Sequence, residues 1–253
     1  MSHPMDGVEP WLRLAHAPGV GPATARELLQ RFGDAAAICA AGRRALAASG
    51  LARGAIDCLL GTAAQTDIER DLEWAGGDEA RHLLPLTDPR YPPRLRTIHD
   101  PPPLLYVEGD PEVLAYPMLA IVGTRHPTPA GRETAHAFAR HLAGNGLIVA
   151  SGLALGIDAA AHEGALAADG LTVAVAGTGL DRVYPPGHAA LARRIAEQGA
   201  LVSELPIGTR PSREAFPRRN RILSGLGVGT LVVEAALRSG SLITARLALE
   251  QGR

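Results

Sequence analysis

Apolar positions fall into three regimes along the chain, and each predicts a different architecture. From Trp11 to about residue 84 they recur at helical spacing. Leu12, Leu14 and Ala15 precede the turn Pro18-Gly19-Val20-Gly21, and Ala25, Leu28, Leu29 and Phe32 follow it. Short Ala- and Leu-rich helical patterns continue, broken at Gly42, Gly50, Gly54 and Gly76-Gly77. Residues 1–85 are therefore expected to form a small all-helical domain that begins with a helix-hairpin-helix. Its turn glycines suit either backbone contact with a DNA phosphate or a tight helix–helix turn. The second is favoured, because no basic residue follows the turn until Arg26.

Between residues 86 and 117 the prolines are too dense for a helix. This span reads as an ordered connector, with Leu104-Leu-Tyr-Val107 as an edge strand. From 118 to 253 short apolar runs alternate with helical patterns. Strands are predicted at 118–122, 147–150, 172–176, 200–203 and 231–233. Thr128-Pro129 starts a helix to about Gly144, an Ala-rich helix ends near Ala168, and two more cover 189–198 and 241–251. Continuous apolar strands alternating with helices predict an α/β, Rossmann-like, doubly wound parallel sheet.

Ligands of such sheets bind at the carboxyl ends of the strands. Gly123-Thr124-Arg125, Ser151-Gly152, Gly177-Thr178-Gly179, Glu204 and Glu234 all fall there. Neither G-x-G-x-x-G after the first strand nor a P-loop is present, so the rim reads as anion-binding without a nucleotide cofactor. The richest stretch is Phe216-Pro-Arg-Arg-Asn-Arg-Ile-Leu-Ser-Gly225. From Arg210 to Arg221 there are five Arg against one acid, Glu214. Read as a cationic, aromatic-bearing turn on the sheet rim, it suits single-stranded nucleic acid: guanidinium forks for phosphates, and Phe216 beside Asn220 for an unstacked base. The same residues also suit a solvated basic loop with Phe216 in the core.

Composition narrows these readings. The net charge is −1, so any nucleic-acid site is local rather than global. All 25 basic residues are Arg, so enrichment in Arg alone argues little. Aromatics are only 4%, and the core must be built from Ala, Val, Leu and Ile. Cys39 and Cys58 have no metal-ligand spacing, the nine His form no ligand motif, and no run of 18 apolar residues is present. No metal, cofactor or membrane association is expected, and the cysteine usage suits a cytoplasmic protein. Ser151, Asp158 and His162 lack the G-x-S-x-G elbow of a serine hydrolase; Asp158 and His162, four apart on one helix, could pair locally, but Asp158 reads better as a helix-start carboxylate pairing with loop amides or a nearby Arg.

Taken together, Ser151-Gly-Leu-Ala-Leu-Gly-Ile-Asp158, Ser203-Glu-Leu-Pro206, Phe216 to Gly225, Glu234-Ala and Ser239-Gly-Ser-Leu-Ile-Thr-Ala245 resemble the DNA-processing protein A (DprA/Smf) family. The Gly123-Thr-Arg125 turn and the Tyr91-Pro92 to Tyr106 connector are similar to that family too. The resemblance implies a non-enzymatic, often dimeric cytoplasmic protein of natural transformation. Such a protein binds incoming single-stranded DNA, protects it and helps load the recombinase RecA. By motif, Gly123, Thr124 and Arg125 become a phosphate turn. Phe216, Arg218, Arg219 and Asn220 become a pocket wall, flanked by Ser151 and Gly152. Family members continue past this point with another strand, so the chain is expected to be an incomplete form, weak in DNA contact and impaired in dimerisation and recombinase loading. The enzymatic alternative is a nucleotide N-glycosidase, because Gly227-Val-Gly-Thr-Leu-Val-Val-Glu234 is superficially like its P-G-G-x-G-T-x-x-E motif.

Overall fold

A computed structural model describes residues 7–237 and 239–253. Among the described residues six helices come first: α1 (Glu9–His16), α2 (Pro22–Phe32), α3 (Ala35–Ala40), α4 (Gly42–Ala47), α5 (Arg53–Leu59) and α6 (Gln65–Gly76). The turn between α1 and α2 uses Gly19 at φ +79°, a left-handed position suited to glycine. The sheet then starts earlier than the sequence pattern indicates. β1 (Arg81–Pro85) lies inside the span expected to be helical. It pairs antiparallel with β2 (Leu104–Gly109), which in turn pairs antiparallel with β6 (Ala200–Ser203). The segment expected as an edge strand is thus an interior one, and the span expected as a connector supplies it along with α7 (Pro93–Arg96).

The remaining strands are β3 (Met118–Gly123), β4 (Ile148–Ser151), β5 (Thr172–Val175) and β7 (Gly229–Val233), with order β1-β2-β6-β5-β4-β3-β7 across seven strands. From β6 to β7 all neighbours are parallel, as the alternating pattern predicts. The chain winds outward from β3 to β6, then returns to place β7 on the other side of β3. The switch point of the winding is therefore between β3 and β7.

Alternation along the strands sorts the core into layers. Ile121 and Val149 face α8 (Pro129–Gly144) and α9 (Ile157–Leu166), while Ala120, Val122 and Ala150 face α11 (Ala215–Leu226). Leu104, Tyr106 and Leu201 pack with α10 (Ala189–Gln198) and the N-terminal helices. Helices α8 and α9 meet through Ala135, Ala139, Ala160 and Ala165. A Cβ at Gly164 would lie 2.2 Å from the His136 carbonyl oxygen, so this close approach requires glycine. Small side chains give the core density that aromatic residues would supply elsewhere. The last helix, α12 (Gly240–Glu250), packs beside β7 and α11.

Candidate nucleic-acid interface

At the switch point the Gly123-Thr124-Arg125 turn is tied down by its neighbours. A Cβ on Gly123 would lie 2.0 Å from the Val233 carbonyl oxygen, so this glycine serves the β3–β7 approach. The Thr124 amide donates to the Glu234 carbonyl (2.9 Å), and its carbonyl accepts from the Ile157 amide (3.1 Å). Glu234 holds φ +53°, a left-handed conformation costly for a side chain of this size. Its carboxylate accepts from the Thr128 amide (3.0 Å) and hydroxyl (2.9 Å), at the first turn of α8. A protein carboxylate therefore fills the place where α8 would attract an anion. Thr124 and Arg125 line the cleft, with the Thr124 hydroxyl accepting from the His126 amide (3.2 Å). Thr128 caps α8 through the Gly131 amide (3.0 Å), and Glu234 holds Thr128 in place, so Glu234→Ala should cost about 1–2 kcal/mol in urea denaturation by leaving the Thr128 amide without its acceptor. Glu234→Gln, which keeps an acceptor, should cost less, and equal stability of both with the unaltered chain would contradict this role.

The Phe216–Gly225 stretch is not a turn. It is helical, with Pro217 in the first turn, where no backbone hydrogen bond is lost. Phe216, Arg219 and Asn220, spaced i, i+3 and i+4, line a cleft of about 620 Å³. Its other walls are the Thr124–His126 turn, Asp158, Tyr184, Arg213 and the start of α12 (Ser239–Ser241). Arg125, Arg213 and Arg219 face one carboxylate, Asp158, so the lining carries a net charge of +2 with His126 neutral. That is the local cationic site a near-neutral chain requires.

Arg219 is its innermost cation, only 6% exposed. Its guanidinium lies over Gly152, where a Cβ would come within 1.7 Å of Nη1, and its Nε has no partner among the described residues. Burial lowers its pKa, Asp158 opposes the shift and Arg125 adds to it. Asp158 sits in the first turn of α9 with its carboxylate 3.3 Å from the Ala154 amide. Burial raises its pKa, and Arg219 opposes that rise. A partly compensated cation held away from water is well suited to take a phosphate.

The structure places two of the expected site residues outside the cleft lining. Ser151 is fully buried and donates to the Ile121 carbonyl (2.6 Å), tying β4 to β3, and it flanks the cleft from behind Asp158. Arg218 is exposed and lies outside the cleft lining, because the helix turns it away from Arg219. Gly152 lines a recess of about 50 Å³ beside the cleft. Arg221 is buried and spends its charge on Glu204 and on Asp100 (3.3 Å). Asp158 takes loop amides and Arg219 as its partners, as a helix-start carboxylate would, and not His162. The His162 Nδ1 lies 2.7 Å from the Thr172 hydroxyl, whose own proton goes to the Val149 carbonyl, so Nδ1 donates. Burial lowers the His162 pKa to about 3 and keeps the ring neutral.

The Phe216 ring is half-buried, with the Arg125 guanidinium over it (5.5 Å) and Tyr184 beside it (5.5 Å between centroids). Arg213, Tyr184 and the α12 start were not singled out as site residues from the sequence. Ser239-Gly-Ser and the Arg-rich run carried a signal for two of them, whereas Tyr184 is brought in by a loop. The Ser239 hydroxyl bonds to the Ser241 hydroxyl (2.6 Å), so no side chain caps the α12 amides.

Residues 82–253 match the family model described as DNA recombination-mediator protein A, and residues 9–48 match the DprA-like N-terminal HHH domain. The chain belongs to the DNA-processing protein A family. The Smf protein of Escherichia coli is 49% identical over 187 residues, covering 74% of this chain and 50% of that protein. The chain spans about half the length of the curated relatives it matches. The X-ray structure of DNA processing protein A from Streptococcus pneumoniae is similar with TM-score 0.80 and 32% identity, over 96% of this chain and 84% of that one. The Helicobacter pylori protein, whose structure concerns a single-stranded DNA binding mode, is similar with TM-score 0.60 and 36% identity, over 64% of this chain and 74% of that one. Among the described residues no helix is long and apolar enough to cross a membrane.

Proposed function

We propose that the chain binds single-stranded DNA in the cleft between β3 and β7, with Arg219, Arg125 and Arg213 on successive phosphates. The observation that carries this reading is Arg219, a buried cation with an unpartnered Nε, in a cleft of net charge +2. In the cell this binding protects incoming DNA during natural transformation and presents it to the recombinase RecA, as the family relationship supports. A homodimer and a cytoplasmic location belong to the same reading. The cleft binds and does not turn over its ligand. Glu234, the acid that the N-glycosidase motif would need, is held by Thr128, and the preceding Gly229–Val233 is strand rather than a loop opening a helix.

A salt-titrated gel shift with single- and double-stranded oligonucleotides tests this. Single strands should bind more tightly, and Arg125→Ala should weaken all sequences alike while lowering the log–log salt slope by about 0.7. Arg125→Lys should rescue in part, since a point charge replaces a fork. Unchanged affinity and slope in Arg125→Ala would remove the assignment. Release of ribose 5-phosphate from a nucleoside monophosphate would favour the glycosidase instead.

A further inference from the structure

Resting on the single-strand reading of the cleft, we infer that Tyr184, with Leu155 across the same recess, is the platform on which a nucleobase of the bound strand stacks. A base needs a free π-face beside a phosphate site, and in this cleft Tyr184 offers one. It is 42% exposed and Leu155 is 48% exposed, although large apolar side chains elsewhere are mostly buried. The alternative ring, Phe216, is engaged by Arg125 over it, and its edge lies against Gly177, where a Cβ would meet it at 2.9 Å. Phe216 thus supports Tyr184 from behind, at 5.5 Å between centroids and a 39° tilt. The Tyr184 hydroxyl makes no hydrogen bond among the described residues, so the ring is not placed there to satisfy a polar group.

Tyr184 also lines both the main cleft and the small recess, so it stands on the ridge between them with Arg125 and Arg219. At about 50 Å³ the recess is too small to enclose a base. A base instead lies across its mouth, on the tyrosine ring and the leucine, while its phosphate reaches the arginines. Stacking of this kind tolerates any base, because every base has a π-face.

The experiment measures affinity of the full chain for an oligothymidylate and for an abasic strand of the same length. The unaltered chain should prefer the oligothymidylate. Tyr184→Ala should weaken it roughly 5- to 150-fold and leave the abasic strand unchanged, whereas Tyr184→Phe should bind both as the unaltered chain does. Tyr184→Trp should retain affinity and lose fluorescence on binding, against Trp11 and Trp74, which are buried in the helical region. Equal binding of both strands by the unaltered chain, or an equal loss on both by Tyr184→Ala, overturns the platform but not the cleft. Absence of any single-strand binding by the unaltered chain overturns both.

Discussion

Arg219→Ala should be the most damaging single change to DNA binding, with a loss of roughly 2 kcal/mol or more in single-strand affinity. Arg219 is 6% exposed, so its charge acts in a low-dielectric setting where a phosphate contact is strong. The same burial complicates the variant, because Asp158 then lacks the cation that opposes the rise in its pKa. A carboxyl whose folded pKa stands above its unfolded value weakens the fold as pH rises through that interval. The stability loss of Arg219→Ala should therefore be small at acid pH and grow toward neutrality. Asp158→Asn added to Arg219→Ala should remove this pH dependence without restoring binding. Gly152→Ala gives an independent check, since its Cβ would occupy the place of Nη1 and displace the guanidinium. Calorimetric unfolding from pH 4 to 8, beside gel shifts, reads both effects. An Arg219→Ala chain that binds single strands normally would show that the innermost cation is structural.

Asp71→Ala should have the largest effect on stability, about 3–5 kcal/mol. Asp71 is fully buried and gathers donors from three parts of the chain. The Tyr106 hydroxyl from β2 donates to it at 2.5 Å, the Ile207 amide at 3.0 Å, and His16 Nε2 from α1 lies at 2.7 Å. Asp71 itself sits on α6, so one carboxylate joins the N-terminal helices to the sheet and to the loop after β6. Its removal leaves buried donors unpaired, which costs more than the bonds contributed. The melting temperature should fall by roughly 6–20 °C. Asp71→Asn, with one acceptor oxygen in place of two, should fall between. Tyr106→Phe combined with Asp71→Leu should cost less than the sum of the two, because the partners are coupled. Melting of Asp71→Ala within a degree or two of the unaltered chain would sink this account.

The Asp71 hub was invisible in the sequence, where it is one acid among several on a helix reading Gln65-Thr-Asp-Ile-Glu-Arg-Asp. Its role depends on partners 35 to 136 positions away. β1 was missed for a related reason: five residues beginning Arg-His carry little periodicity, and their strand character comes from pairing with β2. In α11 the signal was present but read as a turn. Ala215, Arg219, Ile222 and Leu226 fall at i, i+4, i+7 and i+11, and all four are buried. A helical reading of that stripe places Arg219 inward and Arg218 outward.

What the sequence determined by itself is what short-range chemistry sets. Continuous apolar runs made β3 to β7, Thr128-Pro129 started α8, and the glycines at 123 and 152 left room where nothing larger fits. A cationic, aromatic stretch at the strand ends was legible too. The tertiary structure decided which charges are available. Packing of Ile222 and Leu223 on the sheet sets the phase of α11, and that phase gives Arg219 to the cleft, Arg221 to Glu204 and Arg218 to solvent. The winding of the sheet brings Tyr184 and the start of α12 to the same place, and it fills the α8 start with Glu234. Charge and ring type are properties of a residue, but burial and pairing belong to its surroundings, and those are assembled from segments far apart in the chain.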